Sequence, residues 1–196
     1  MPSFHKAVAL IANGVLGEIN HLEADFGFQA KYSTTGRLFN KQLGGGSLLD
    51  IGIYPLFLSL SVLGQPKSIK AQADFSPTGV DESCTIHLEY PRGASAHLHS
   101  TFAKHTPTQA TIVGEKGHLI VQPRFHQSQH LSLHINGREV QHFELPYRGN
   151  GYIAEIEEVN SCLRKGLSES PKLPHSFSLK LCQLLDAVRN EINLIY

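Results

Sequence analysis

Apolar positions recur at helical spacing near the two ends of the chain and in one central run, and alternate with polar positions between them. Phe4, Val8, Leu10 and Ile11 fall near the 3.6-residue period and stop at Asn13-Gly14, which predicts a short opening helix. From Glu18 to Phe28, Ile19, His21, Glu23, Asp25 and Gly27 alternate with Leu22, Ala24, Phe26 and Phe28, predicting a strand of imperfect parity. Ala30 to Leu43 reads as a polar loop. Gly45 to Leu63 is the longest apolar stretch, and its length and closing Gly64-Gln65-Pro66 predict one helix buried on more than one side. Pro55 should kink that helix by removing the hydrogen bond to Ile51.

Short alternating runs follow: Ser68 to Phe75, Glu82 to Tyr90, Ala94 to Phe102, Thr108 to Val113, His118 to Val121, His130 to Ile135 and Glu139 to Phe143. Tyr90-Pro91-Arg92-Gly93, Gly114-Glu115-Lys116-Gly117 and Asn136-Gly137 are tight-turn sequences, so seven or eight mainly antiparallel strands are expected. Tyr152 to Lys165, closed by Gly166, and His175 to Asn193, with Ser176 or Ser178 as candidate caps, predict two final helices. No repeat or linker divides the chain. The expectation is one α+β domain over residues 1–196, an open, mainly antiparallel sheet with helices on one face.

Lys plus Arg and Asp plus Glu are both 17 in 196 residues, so the formal net charge is zero and no basic stripe points to nucleic acid. Cys84, Cys162 and Cys182 are odd in number and far apart, which suits reduced thiols in a cytoplasm better than disulfides. No uninterrupted apolar run or signal peptide predicts a membrane span or export, so a cytoplasmic protein is expected. His97 and His99 share one strand face at a spacing that can hold a transition metal. No third ligand accompanies them, and no metal site is expected.

The chemistry-bearing residues lie in LGGGSLLDIGIYPL, Leu43 to Leu56. Asp50 and Tyr54, four residues apart, leave one helix face, where a single substrate hydroxyl can meet both. A carboxylate and a phenol among apolar neighbours need partners or a polar cleft. The plain alternative makes Asp50 a local cap and Tyr54 an amphipathic core residue.

This segment resembles the central motif of the glucose-fructose oxidoreductase, inositol dehydrogenase and rhizopine-catabolism (Gfo/Idh/MocA) family, in which a glycine triplet precedes an aspartate and, four residues on, a histidine or tyrosine. NGVLGEI, ADFGF, RLFN, TGVDE, VGEKGHLIV, GNGYIAEIEEV and PHSFSLKLCQLLDAVR extend the resemblance, so that the whole chain is similar to the family's C-terminal domain. Tyr54, where many relatives carry histidine, draws the resemblance toward the branch of dihydrodiol and NADP-linked xylose dehydrogenases.

The resemblance implies oxidation or reduction at a CH–OH group of a sugar, polyol or diol with NADP or NAD, Tyr54 being the acid/base and Asp50 its partner. Phe28, Arg37 and Phe39 flank the same expected cleft through ADFGF and RLFN and are candidate walls of the substrate pocket, with core packing or a surface ion pair the alternative; the resemblance adds Tyr152 as a wall residue. Gly44, Gly45 and Gly46 are implied to let a cofactor approach, and a plain helix-start role serves them equally well. A phenol, with an ordinary pKa of about 10, needs a nearby cation to act as a base at neutral pH. The family's Glu-Lys-Pro lysine and a Gly-x-Gly-x-x-Gly fingerprint are both missing from this sequence. The chain alone is therefore expected to bind no dinucleotide tightly and to have no activity. The rival expectation is a naturally truncated, non-catalytic protein that binds a sugar or dimerises. A homodimer through the sheet face is expected, on the premise that strands such as Ser83 to Tyr90 present apolar residues there.

Overall fold

The computed structural model describes residues 1–196. Helix α1 (Pro2–Ala12) ends at Asn13 and a left-handed Gly14, and strand β1 (Ile19–Gly27) follows. After a long loop come a 3-10 turn (Lys41–Leu43), a π-helical turn (Leu48–Gly52) and α2 (Ile53–Leu63). The remaining strands are β2 (Ser68–Phe75), β3 (Asp81–Glu89), β4 (Ser95–Thr101), β5 (Ala110–Gly114), β6 (Gly117–Val121), β7 (His130–Ile135) and β8 (Gln141–Glu144). Helices α3 (Tyr152–Arg164) and α4 (His175–Glu191) close the chain.

All eight strands join one sheet in the order β2-β3-β4-β1-β5-β6-β7-β8. Every pairing is antiparallel except that of β1 with β4, where Leu22 lies opposite Ala96 and Ala24 opposite Leu98. The expected α+β sheet is thus present, with α1, α2 and α4 on one face. Period-two alternation decides which residues face them. Leu22, Ala24, Cys84, Ile86, Leu88, Leu98, Ile112, Leu119 and Leu133 are buried there, against Leu56, Leu60, Leu184, Leu185 and Val188.

The open face differs from expectation. It carries His21, Glu23, Thr85, His87, His97, His99, Thr111, His118 and His134, because every apolar residue of Ser83 to Tyr90 sits in the opposite register. His87 stacks on His97 at 4.4 Å and His118 on His134 at 4.3 Å, across neighbouring strands. The face is polar.

The predicted single helix from Gly45 to Leu63 is also different. The segment is broken at Gly44 (φ 68) and Gly46 (φ 117), so the helix starts only at Ser47; it winds as a π turn over Leu48–Gly52 and continues as α-helix from Ile53. Helical dihedrals run unbroken from the π turn into α2, so Pro55 lies inside a continuous helix, and the expected distortion at Pro55 coincides with the π turn that ends just before it. Residues 41–63 have the length and apolarity of a membrane span, contrary to the sequence expectation; here the stretch packs as a core element, 56% buried. The predicted Ser176 and Ser178 caps are likewise replaced: Pro174 occupies the cap position, and Glu169 accepts the His175 N–H at 2.5 Å.

Candidate functional site

The segment bearing Asp50 and Tyr54 is held at its start by Asp81, on the first residue of β3. One Asp81 carboxylate oxygen accepts the Leu48 N–H at 2.6 Å and the Ser47 hydroxyl at 2.8 Å, satisfying donors at the helical entrance. Ser47 also meets the Ser100 hydroxyl at 3.0 Å. Asp81 is fully buried, its second oxygen has no partner, and burial pushes its pKa up to about 6. The Tyr196 hydroxyl donates to the Gly45 carbonyl at 2.5 Å from the other side. Neither anchor stood out in the sequence. Asp81 sits in TGVDE as an ordinary strand-edge acid, and Tyr196 is the last residue.

This packing accounts for two of the three glycines. A Cβ on Gly46 would overlap the free Asp81 oxygen, and one on Gly45 would lie 2.7 to 2.9 Å from three backbone carbonyls of the preceding loop. Gly44 turns with φ 68 in open space. The glycines serve the turn into the helix.

Two microenvironments lie one turn apart. Arg37, two-thirds exposed on the loop after β1, bonds Asp50 at 2.5 Å; Asp50 retains only 20% of its side-chain exposure. The carboxylate holds the Arg37 guanidinium charged, through its hydrogen bond first and its charge second. Tyr54 points elsewhere, into an apolar cavity of about 470 Å³ lined among others by Phe4, Ile53, Phe57, Phe125, His126 and Glu155. Its ring is 42% exposed, and its hydroxyl makes no hydrogen bond within the chain. Asp50 and Tyr54 share the segment without bonding each other.

Aromatic rings frame the phenol. Phe26 lies 5.5 Å from Tyr54, His126 lies 5.2 Å away, and Phe26 and His126 stack at 4.5 Å with planes 11° apart. Burial, and then the Arg124 charge, lower the His126 pKa, so the ring is neutral at pH 7; its Nδ1 is buried without a partner. Sequence reasoning left His126 among the scattered histidines. Only its position in the loop after β6, next to Phe125, sets it apart, and that loop's return to α2 has no local signature.

The other predicted wall residues divide. Arg37 joins the site through Asp50. Phe28 packs on Phe102 at 5.4 Å and does not line the cavity. Phe39 is 1% exposed inside a small core of Ile51, Val80 and Phe102, so it is a packing residue with no surface to offer a solute. Tyr152 is 62% exposed at the start of α3 and does not line the cavity, although Glu155, one turn later, does. No cluster of three or more His, Cys, Asp or Glu is arranged for a metal ion.

The architecture is shared with solved oxidoreductases. Aldose-aldose oxidoreductase from Caulobacter crescentus, complexed with glycerol, superposes with a TM-score of 0.86 at 24% identity, over 98% of this chain and 59% of that one. A 3-ketoreductase from Actinomadura kijaniata, in complex with NADP, gives 0.84 at 23% identity over 98% and 59%. The fold is thus that of an α+β domain found in oxidoreductases. Residues 4–120 match the GFO/IDH/MocA C-terminal domain, and the chain belongs to that family. Among curated relatives, trans-1,2-dihydrobenzene-1,2-diol dehydrogenase of Xenopus laevis is 34% identical over 205 residues, covering all of this chain and 61% of the relative. The Homo sapiens enzyme of that name is 30% identical over 206 residues, with 100% and 60% covered. The chain spans about three-fifths of the length of these relatives.

Proposed function

We propose that this chain is the substrate-binding and acid/base half of an NADP- or NAD-dependent dehydrogenase acting on a CH–OH group of a dihydrodiol, polyol or sugar. The observation that carries the reading is the Tyr54 hydroxyl, unbonded within the chain, at an aromatic-walled cavity one turn from the Arg37–Asp50 pair. In this reading Tyr54, as a phenolate stabilised by a cation from outside this chain, would take the proton of the reacting hydroxyl as the carbinol hydride passes to the oxidised nicotinamide, and Asp50, held by Arg37, orients a neighbouring hydroxyl. The cavity walls exclude water and accept an apolar ring, which favours a cyclic diol over an open polyol. The names of the curated relatives support the same choice.

The nucleotide lies outside this chain's residues in the proposal, and the isolated chain is inactive. The test supplies a nucleotide-binding domain, joined ahead of Pro2 or added separately. NADP reduction is then followed with trans-1,2-dihydrobenzene-1,2-diol and with aldoses. Turnover that disappears in Tyr54→Phe supports the reading; turnover by the unsupplemented chain, or full activity of Tyr54→Phe, overturns it. One rival is a non-catalytic protein that binds a sugar or dimerises. Sugar binding without turnover in the supplemented protein would establish it. A cytoplasmic location and a homodimer through the polar, histidine-bearing sheet face complete the proposal; such a dimer would be held by hydrogen bonds rather than by apolar burial.

A further inference from the structure

The loop between β6 and β7, residues 122–129, separates two cavities of opposite character. Phe125 and His126 line the Tyr54 cavity, whereas Arg124, Gln127, Ser128 and Gln129 line a second cleft of about 380 Å³, together with Tyr147 and Asn150 from the stretch before α3. No residue is common to the two, and the second cleft is polar. Its floor is fixed by hydrogen bonds from three directions. The Tyr147 hydroxyl donates to the Gln127 carbonyl at 3.1 Å, the Ser3 hydroxyl of α1 donates to the Ser128 carbonyl at 2.6 Å, and the Ser128 hydroxyl accepts the His130 N–H at 3.1 Å. Arg124 is held at φ 63, a left-handed conformation that costs a non-glycine residue about 1–2 kcal/mol and that recurs where a side chain must be aimed at a ligand. Its guanidinium has no carboxylate partner. With the Gln127 amide turned to satisfy both groups, the neutral amide oxygen accepts from Arg124 Nε at 2.7 Å and from one terminal nitrogen at 2.5 Å.

We propose that this cleft binds a small oxyanion, a phosphate or carboxylate group on a hydroxylated molecule, with Arg124 as its charged ligand. No acidic residue lines the cleft, so nothing there repels an anion or coordinates a cation. The Gln127 amide fixes the guanidinium plane and leaves its remaining N–H groups for the two parallel bonds that a carboxylate or phosphate accepts. Gln129 and Asn150 add amide donors. The Asn150 side-chain oxygen already accepts the Tyr152 N–H at 3.3 Å, which orients its NH2 group. The cleft stands apart from the reacting hydroxyl of the dehydrogenase reading and does not depend on it. The two cavities nevertheless communicate across the loop. Burial first and the Arg124 charge second lower the His126 pKa, so an anion that neutralises Arg124 lifts the second effect in the wall of the Tyr54 cavity.

The test titrates the full chain with inorganic phosphate, with gluconate and with uncharged glucose at constant ionic strength in chloride, by calorimetry and by NMR of the His126 ring. One or both anions should saturate a single site, with glucose at least about tenfold weaker. Phosphate alone or gluconate alone identifies the group carried. Arg124→Gly, which adopts φ 63 without strain and so keeps the loop, should weaken anion binding by at least about tenfold, and Arg124→Lys should recover only part of it. Saturation should raise the His126 pKa in the parent. In Arg124→Gly that pKa should already be raised and no longer respond. Equal affinity in Arg124→Gly, equal affinity for glucose, or no saturable binding beyond that of chloride overturns the proposal. Binding that leaves the His126 signals unchanged places the anion elsewhere and overturns it as well.

Discussion

Asp81 and Leu48 are joined by a 2.6 Å hydrogen bond from a backbone N–H to a fully buried carboxylate, and through it the sheet sets where the Asp50–Tyr54 segment begins. The bond has a cost as well as a use. Burial raises the Asp81 pKa from 3.8 to about 6, so the folded state holds this proton more tightly than the unfolded chain. Its favourable contribution is complete below pH 4 and is lost as pH rises through 6, amounting to about 3 kcal/mol by pH 7. Urea denaturation from pH 4 to 7 should therefore show a decline that Asp81→Asn largely abolishes. Asp81→Ala, which leaves the Leu48 and Ser47 donors unpaired, should lose about 1–3 kcal/mol near pH 4 and progressively less toward pH 7, where the parent has lost its own Asp81 contribution.

Tyr54→Phe removes a hydroxyl that supports nothing in the fold. Its melting curve should match the parent within about 0.5 kcal/mol. In the protein supplied with its nucleotide-binding domain, kcat should fall by about 10²–10⁴ with KM nearly unchanged, the signature of a lost proton acceptor rather than a lost contact.

Arg37→Met tests whether the Arg37–Asp50 pair is structural or serves binding. Because Arg37 is largely exposed, solvent screening should hold the loss of stability below about 1 kcal/mol, and it should shrink further in salt. Loss of Asp50's orienting partner should instead appear as a raised KM for the diol. A calorimetric melt at two ionic strengths and a substrate titration measure the two effects.

The glycine triplet provides a graded series. Gly44→Ala adds a Cβ in open space at φ 68 and should cost about 1–2 kcal/mol. Gly46→Ala meets both a left-handed backbone and the buried Asp81 oxygen, and should cost more or prevent folding. Equal effects in the denaturation curves of the two variants would contradict the assignment of Gly46 to the Asp81 contact.

What the chain disclosed in advance follows the range of the interactions involved. Alternation and turn residues are local, so the strands appear within a few residues of expectation, as Ser68–Phe75 and His130–Ile135 do. The sheet order was not legible, because the parallel β1–β4 pairing joins strands whose intervening segments give no pairing signal. The open face was misjudged for a related reason: alternation identifies two faces of Ser83 to Tyr90 but not which one the helices cover, and the shift of a single residue exchanges them. Asp50 and Tyr54 could be picked out because a polar group in an apolar run is conspicuous. Asp81, His126 and Tyr196 reach the same neighbourhood from distant elements, and each is an ordinary residue in its own surroundings. Phe39 erred in the opposite sense, since its place beside Arg37 in the loop concealed a side chain turned into the core.

The position of β1 carries a consequence for how the domain assembles. First of the strands in sequence and fourth in the sheet, β1 joins two antiparallel meanders, β2 to β4 on one side and β5 to β8 on the other. Each meander is made of neighbouring hairpins and can form quickly, whereas His21 must wait for Ser95, 74 residues away, before the central pairing closes. A chain emerging from the ribosome therefore carries β1 with both edges bare until β4 and β5 follow it. Completion of the sheet, rather than formation of any hairpin, sets the pace of folding.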